Sequence, residues 1–180
     1  MTTMSQNDPR AIRSDEELRG AVVVGLVAGQ SPHVVQEAAR FATLFATSLV
    51  VVTVDQGRYL SFDDPTGMIP NASVELAKEA VGAEVEAIEL ETANALVGHD
   101  VRWTMRTAAG DPAIAISDVA KAVDASLIVV GTRRPGLGET LREFFNGSVA
   151  ARLAHRQSRS VLVVPTEKPV PADHPIVPEG

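Results

Sequence analysis

Five short apolar runs alternate with segments whose apolar residues recur at helical spacing, and this alternation constrains the chain more than any other feature. Residues 21–27 and 49–54 are short and almost wholly apolar, as are 127–130 and 161–164. Such runs suit strands covered on both faces. The fifth run, 101–106, alternates instead: Val101, Trp103 and Met105 fall on one side, Arg102, Thr104 and Arg106 on the other. That pattern predicts an edge strand with one wet face.

The intervening segments carry helix signals. Ser31 followed by Pro32 reads as an N-cap and a proline at the first helical position, with Val34, Ala38, Ala42 and Phe45 forming the apolar stripe. A long helix is predicted from about Asn71, with a stripe of Val74, Ala77, Val81, Val85 and Ile88, ending before Gly98. Asp111 and Pro112 start a third helix along Ile116, Val119 and Val123, and a fourth follows Gly147 and Ser148. The order β-α-β-α-β-α-β-α-β predicts a doubly wound α/β fold, a five-stranded parallel sheet with helices on both faces. Strand order 3-2-1-4-5 fits best, because it puts 101–106 at one edge and 161–164 at the other. An apolar edge strand invites pairing, so Val161, Leu162, Val163 and Val164 are the expected homodimer contact.

Residues 1–18 are polar and without periodicity and are expected to form a flexible arm. Residues 19–165 form the expected domain. Residues 166–180 are too rich in proline for a helix or a central strand and are expected to form an extended tail. A net charge of −7 argues against a nucleic-acid partner. The absence of cysteine removes disulfides and thiolate chemistry and fits a reducing compartment. The polar start shows no signal peptide, and no apolar run approaches the about 18 residues that span a bilayer. The expectation is a cytoplasmic protein without membrane contact.

One stretch suggests a ligand site. Residues 126–165 run as buried strand, glycine-rich loop, helix and buried strand. This places main-chain N–H groups and a helix N-terminus where a phosphate can sit. The N–H groups of Gly131, Thr132, Gly147, Ser148 and Val149 are the candidate cradle, with the Ser148 hydroxyl as a donor and Arg133 and Arg134 adding charge. The same residues also read as turn glycines and a helix cap worth about 1 kcal/mol, and both readings stay open.

Other phosphate motifs fail. Leu137 and Gly138 stand where a Walker A loop needs Lys and Ser/Thr, and Leu141 stands where a dinucleotide fingerprint needs its third glycine. Tyr59 and Phe62, in the loop after the second strand, read as a lid over a base or as anchors of the loop; Asp55 reads as a ligand contact or a solvated strand end. His33, His99, His155 and His174 lack metal-ligand spacing, and no nucleophile elbow is present.

Together, four local features resemble the universal stress protein family: the first strand with Ser31 and Pro32; 110–113 (GDPA); 125–132 (ASLIVVGT); and 147–149 (GSV) followed by a helix and 160–165 (SVLVVP). The resemblance covers about 21–165. It implies the five-stranded doubly wound fold, dimerisation through the last strand and, in nucleotide-binding members, an ATP site. That site follows the pattern Gly, two residues, Gly, nine residues, Gly-Ser/Thr. Gly131 matches its first glycine, and Gly147 and Ser148 match its close. Arg134 replaces the second glycine and the loop to Gly147 is longer, with Gly136 and Gly138 supplying flexibility. ATP-binding members also carry an aspartate just after the first strand; this chain has Val27, Ala28, Gly29 and Gln30 there, and the Gln30 amide is able to bond a base or ribose.

The reading is a non-catalytic regulatory or stress-protective homodimer. It is expected to bind ATP or AMP, with or without Mg, at Gly131, Thr132, Gly136, Gly138, Gly147, Ser148 and Val149. At most weak ATP hydrolysis is expected, since no carboxylate pair or base is placed near the loop. The alternative is a dimeric interaction module of the same fold that binds no nucleotide.

Overall fold

The computed structural model describes residues 13–55, 71–132 and 148–166, with the backbone alone for 71–78. The elements follow in the order β1 (Val22–Gly25), α1 (His33–Leu44), β2 (Leu49–Asp55), α2 (Asn71–Ala95), β3 (Trp103–Ala109), α3 (Pro112–Ala122), β4 (Leu127–Gly131), α4 (Val149–Arg156) and β5 (Val161–Val164). The five strands form one parallel sheet in the order β3-β2-β1-β4-β5, as the alternating pattern requires.

Three of the four apolar runs are buried on both sides; the fourth, β5, expected as a buried strand, has only Val164 buried, with Val163 exposed and Val161 and Leu162 half-buried at the sheet edge. On one face Val22, Val24, Val51 and Val129 pack beneath α1 and the C-terminal half of α2, with Val34, Ala38 and Ile88 pressed against them. On the other, Val23, Val50, Ile128 and Val130 meet Ala113, Ile116 and Ala120 of α3 and Leu153 of α4. Each fully buried Val, Leu or Ile side chain contributes about 1.5–3 kcal/mol, so neither face tolerates a charge. Leu18, in the segment read as an arm, is 1% exposed and belongs to this second core.

Three local expectations are corrected. Pro32, with φ −60° and ψ −20°, occupies the N-cap of α1; Ser31 makes no side-chain cap, and the turn closes through the main chain, with Val34 N–H donating to the Ser31 carbonyl at 3.2 Å. Phe45 leaves the stripe of α1: it is the C-cap residue, 49% exposed, with its ring 6.0 Å from that of Phe41.

The predicted wet face of the 101–106 strand is also largely covered. The strand runs from Trp103 to Ala109, Thr104 is buried, and Arg106 pairs with Asp15 at 2.6 Å while donating to the Arg13 carbonyl at 3.4 Å. Residues 13–15 therefore satisfy the charge that the alternation assigned to water.

Candidate functional site

In strand order 3-2-1-4-5 the chain leaves β1 and β4 in opposite directions, so their carboxyl ends open a crevice. Ligands bind at such a switch point in open α/β sheets. Here the crevice is a cleft of about 840 Å³. Its floor is apolar, with Val52, Val130 and Ile116 among its residues. One wall is the β1–α1 loop from Val27 to Ser31, and the other is the start of α4 from Ser148 to Ala151. Gly131, Thr132 and Thr166 close the end between them. Among the described residues no charged side chain lines the cleft.

The α4 wall is built from main chain. Ser148 is the N-cap, in extended conformation, and its Oγ accepts from Ala151 N–H at 3.1 Å. That bond uses the oxygen as an acceptor, and a hydroxyl also carries one proton to donate. Val149 and Ala150, in the first turn, have N–H groups with no partner within the helix, and the helix dipole adds partial positive charge there.

An ion pair braces this wall from behind. Arg152 meets Asp111 at 2.6 Å, and Asp111 also caps α3 by accepting from Ile114 N–H at 3.1 Å. Burial of the Asp111 carboxyl works to raise its pKa; the Arg152 and Ile114 hydrogen bonds and the Arg152 charge outweigh it, holding the group below the usual carboxylate value.

The loop wall is held by side chains. Val27 N–H donates to Gln30 Oε1 at 3.2 Å, closing a tight turn. Gly29, at φ +68°, donates its N–H to Glu91 Oε2 of α2 at 3.2 Å. On its far side the loop borders a second groove, of about 610 Å³, against α2. The amide nitrogen of Gln30 lies over Gly131. A Cβ at that glycine would collide with Gln30 Nε2 and come within 2.9 Å of Thr166 Cγ2 and 3.0 Å of Val34 Cγ2. A side chain at 131 would therefore have to displace the Gln30 amide and crowd Thr166 and Val34.

The structure brings Gly131, Thr132, Ser148 and Val149 of the expected site to one cleft. Gly136, Gly138 and Gly147 lie outside the described residues, as do Arg133, Arg134, Tyr59 and Phe62. Thr132 plays a particular part. Its N–H donates to the Val164 carbonyl at 2.9 Å, and its Oγ1 accepts from Thr166 N–H at 3.0 Å. Thr166 Oγ1 donates to the Thr132 carbonyl at 2.9 Å, so the Thr132 hydroxyl is the donor in the 3.0 Å contact between the two oxygens. Both Thr132 donors are thus engaged in clasping the chain after β5. Asp55 does not line the cleft; its carbonyl accepts from Gly110 N–H at 3.2 Å.

Thr166 and Ala150 were not singled out by sequence. The clasp depends on the parallel register that sets Gly131 opposite Val164, which no local pattern encodes.

Residues 21–165 match the model of the universal stress protein family. No curated protein sequence matches the chain. Among solved structures, a universal stress protein in complex with cAMP is 26% identical, with a TM-score of 0.60, over 83% of this chain and 99% of that one. The UspA universal stress protein of Lactobacillus plantarum is 17% identical (TM-score 0.58, covering 81% and 98%). A protein of the same family from Burkholderia pseudomallei is 23% identical (TM-score 0.55, covering 82% and 97%). The last two likenesses concern the fold.

Proposed function

The chain belongs to the universal stress protein family, and on that premise we propose that it is a non-catalytic regulatory or stress-protective protein that binds an adenine nucleotide in the β1/β4 cleft. One observation carries this reading: the N-terminus of α4 opens onto the cleft, with the N–H groups of Val149 and Ala150 and the Ser148 hydroxyl as donors for phosphate oxygens. The apolar floor suits a base, and the similar structure in complex with cAMP supports the ligand class.

In this reading Gly131 and Thr132 shape the end of the cleft, while Gly136, Gly138 and Gly147 complete the phosphate loop. No carboxylate among the described lining residues offers Mg²⁺ a ligand, so any Mg²⁺ would enter on the phosphates. The same reading makes the protein cytoplasmic and dimeric through β5, where Val163 is exposed and Val161 and Leu162 are half-buried.

Calorimetry with cAMP and AMP at millimolar concentration tests the ligand. Saturable heat is expected in the wild type, and Ser148→Ala should weaken binding by about threefold to tenfold through loss of one hydroxyl donor. Absence of heat in the wild type rejects nucleotide binding and leaves the interaction-module reading. For the dimer, Leu162→Lys should shift the sedimentation of a micromolar sample toward monomer; an unchanged dimer places the interface elsewhere.

A further inference from the structure

Resting on the dimeric reading, we infer that the C-terminal end of α1 is part of the homodimer contact, with a second copy of this chain covering the apolar patch of Phe41, Leu44 and Phe45. The strand edge alone is a small platform. β5 has four residues, of which only Val163 is exposed. A stable interface takes about 20–30 residues a side, so the remainder of the contact comes from elements that flank the strand.

The seating of α1 selects the flank. Val34, Val35, Ala38, Ala39 and Ala42 are buried along the helix, which packs chiefly on β1 and reaches across β4 to β5. Its other flank is taken: Gln36 Nε2 donates to the Ala95 carbonyl of α2 at 3.3 Å, and α2 covers β2. At about 3.6 residues per turn, Phe41, Leu44 and Phe45 fall on the opposite side of the buried stripe from Gln36, toward β5. Leu44 is 65% exposed and Phe45 49%. Phe41 is half-buried and packs on the same core as Leu162 of β5, while its ring lies 6.0 Å from that of Phe45. The aromatic pair thus joins the exposed patch to the face of β5 that carries Leu162.

The border of the patch is charged. The Arg40 guanidinium lies 4.5 Å from the centre of the Phe41 ring and pairs with Glu37 at 2.8 Å. An aromatic and aliphatic centre with such a rim has the composition of a protein contact. On the opposite face of the sheet, Ala150 and Ala154 line the ligand cleft together with Val161 and Val163, so that flank is given to the cleft. A two-fold contact is isologous and uses the same surface on both copies, so one patch beside the β5 edge enters the dimer twice.

Sedimentation over a dilution series tests this with Leu44→Lys, Phe45→Lys, Leu162→Lys and Val97→Lys. Lysine suits the end of a helix, and both α1 positions are exposed, so the fold should hold, as thermal unfolding will check. Leu44→Lys and Phe45→Lys should each raise the dimer dissociation constant by about tenfold to a hundredfold. Phe45→Leu, which keeps the patch apolar, should stay within about threefold of wild type. Val97 is 78% exposed just after α2, on the side away from β5, and Val97→Lys should leave the dimer within about twofold of wild type. A dimer untouched by both α1 variants but broken by Leu162→Lys overturns the inference while sparing the β5 contact. Equal weakening by Val97→Lys also overturns it, because added charge alone would then account for the loss. A wild type that is monomeric at micromolar concentration removes the dimeric reading itself.

Discussion

The two walls of the cleft reach similar ends by different means. At α4 the donors belong to the backbone, and any sequence that starts a helix there presents them; Ser148 adds the cap that keeps the first turn in place. At the β1–α1 loop the polar group belongs to a side chain, seated by Val27, backed by the absence of a Cβ at Gly131, and steadied from α2 by Glu91. A main-chain site recognises an anion with little regard to what carries it. A side-chain site, held in one orientation, distinguishes one ligand from another. On the proposed function, the α4 wall would supply affinity toward phosphate, and the loop wall would bear on what the phosphate is attached to.

The strongest way to break this division is Gly131→Val. The new side chain collides with the Gln30 amide and crowds Thr166 and Val34, so nucleotide binding should fall below detection. Overpacking of this kind costs about 1–3 kcal/mol, which thermal unfolding will show alongside calorimetry. Retained AMP binding would mean that the loop wall takes no part.

Asp111→Ala is next, and it probes the brace behind α4. It removes both the α3 cap and the Arg152 ion pair, for an expected loss of about 1–2 kcal/mol and a Tm lower by roughly 2–8 °C. The effect should depend on pH in a defined direction. The folded-state pKa of Asp111 lies below its unfolded value, so its contribution is present above the ordinary aspartate pKa of about 3.9 and is lost as pH falls through the lower folded value. The difference in stability between wild type and variant should therefore shrink in acid and hold steady from about pH 5 to 8. A difference that grows in acid would contradict the assignment.

Glu91→Ala should have the smallest effect. It deletes a single exposed contact to Gly29, so stability should change by less than about 1 kcal/mol. Faster hydrogen exchange at Gly29 is the expected signature, since that amide loses its acceptor.

Legibility in the sequence follows the same line between local and non-local causes. The apolar runs of β1, β2 and β4 announced themselves because both faces of the sheet are covered there, and Asp111 with Pro112 marked a helix start through chemistry confined to a few neighbouring residues. Ser148 was legible for the same reason. Ser31 was not, because Pro32 takes the cap position itself and main-chain bonds close the turn. The alternation at Thr104 and Arg106 suggested solvent, yet Asp15, far away in the chain, meets Arg106. The Thr132–Thr166 clasp and the seat of Gln30 over Gly131 both depend on strands brought together by the fold. For that reason the helix start at α4 was visible in a Gly-Ser pair, whereas Gln30 was legible only as a candidate base or ribose contact and its packing over Gly131 was not.

The division between the walls is tested most directly by amide chemical shifts in ¹⁵N-labelled wild-type protein, titrated first with pyrophosphate and then with AMP. The account predicts that pyrophosphate moves Ser148, Val149 and Ala150 alone among the described cleft residues. AMP should move these and also Val27 and the Gln30 side-chain amide. Pyrophosphate shifts at Gln30 equal to those at Val149, or AMP shifts confined to α4, would contradict it.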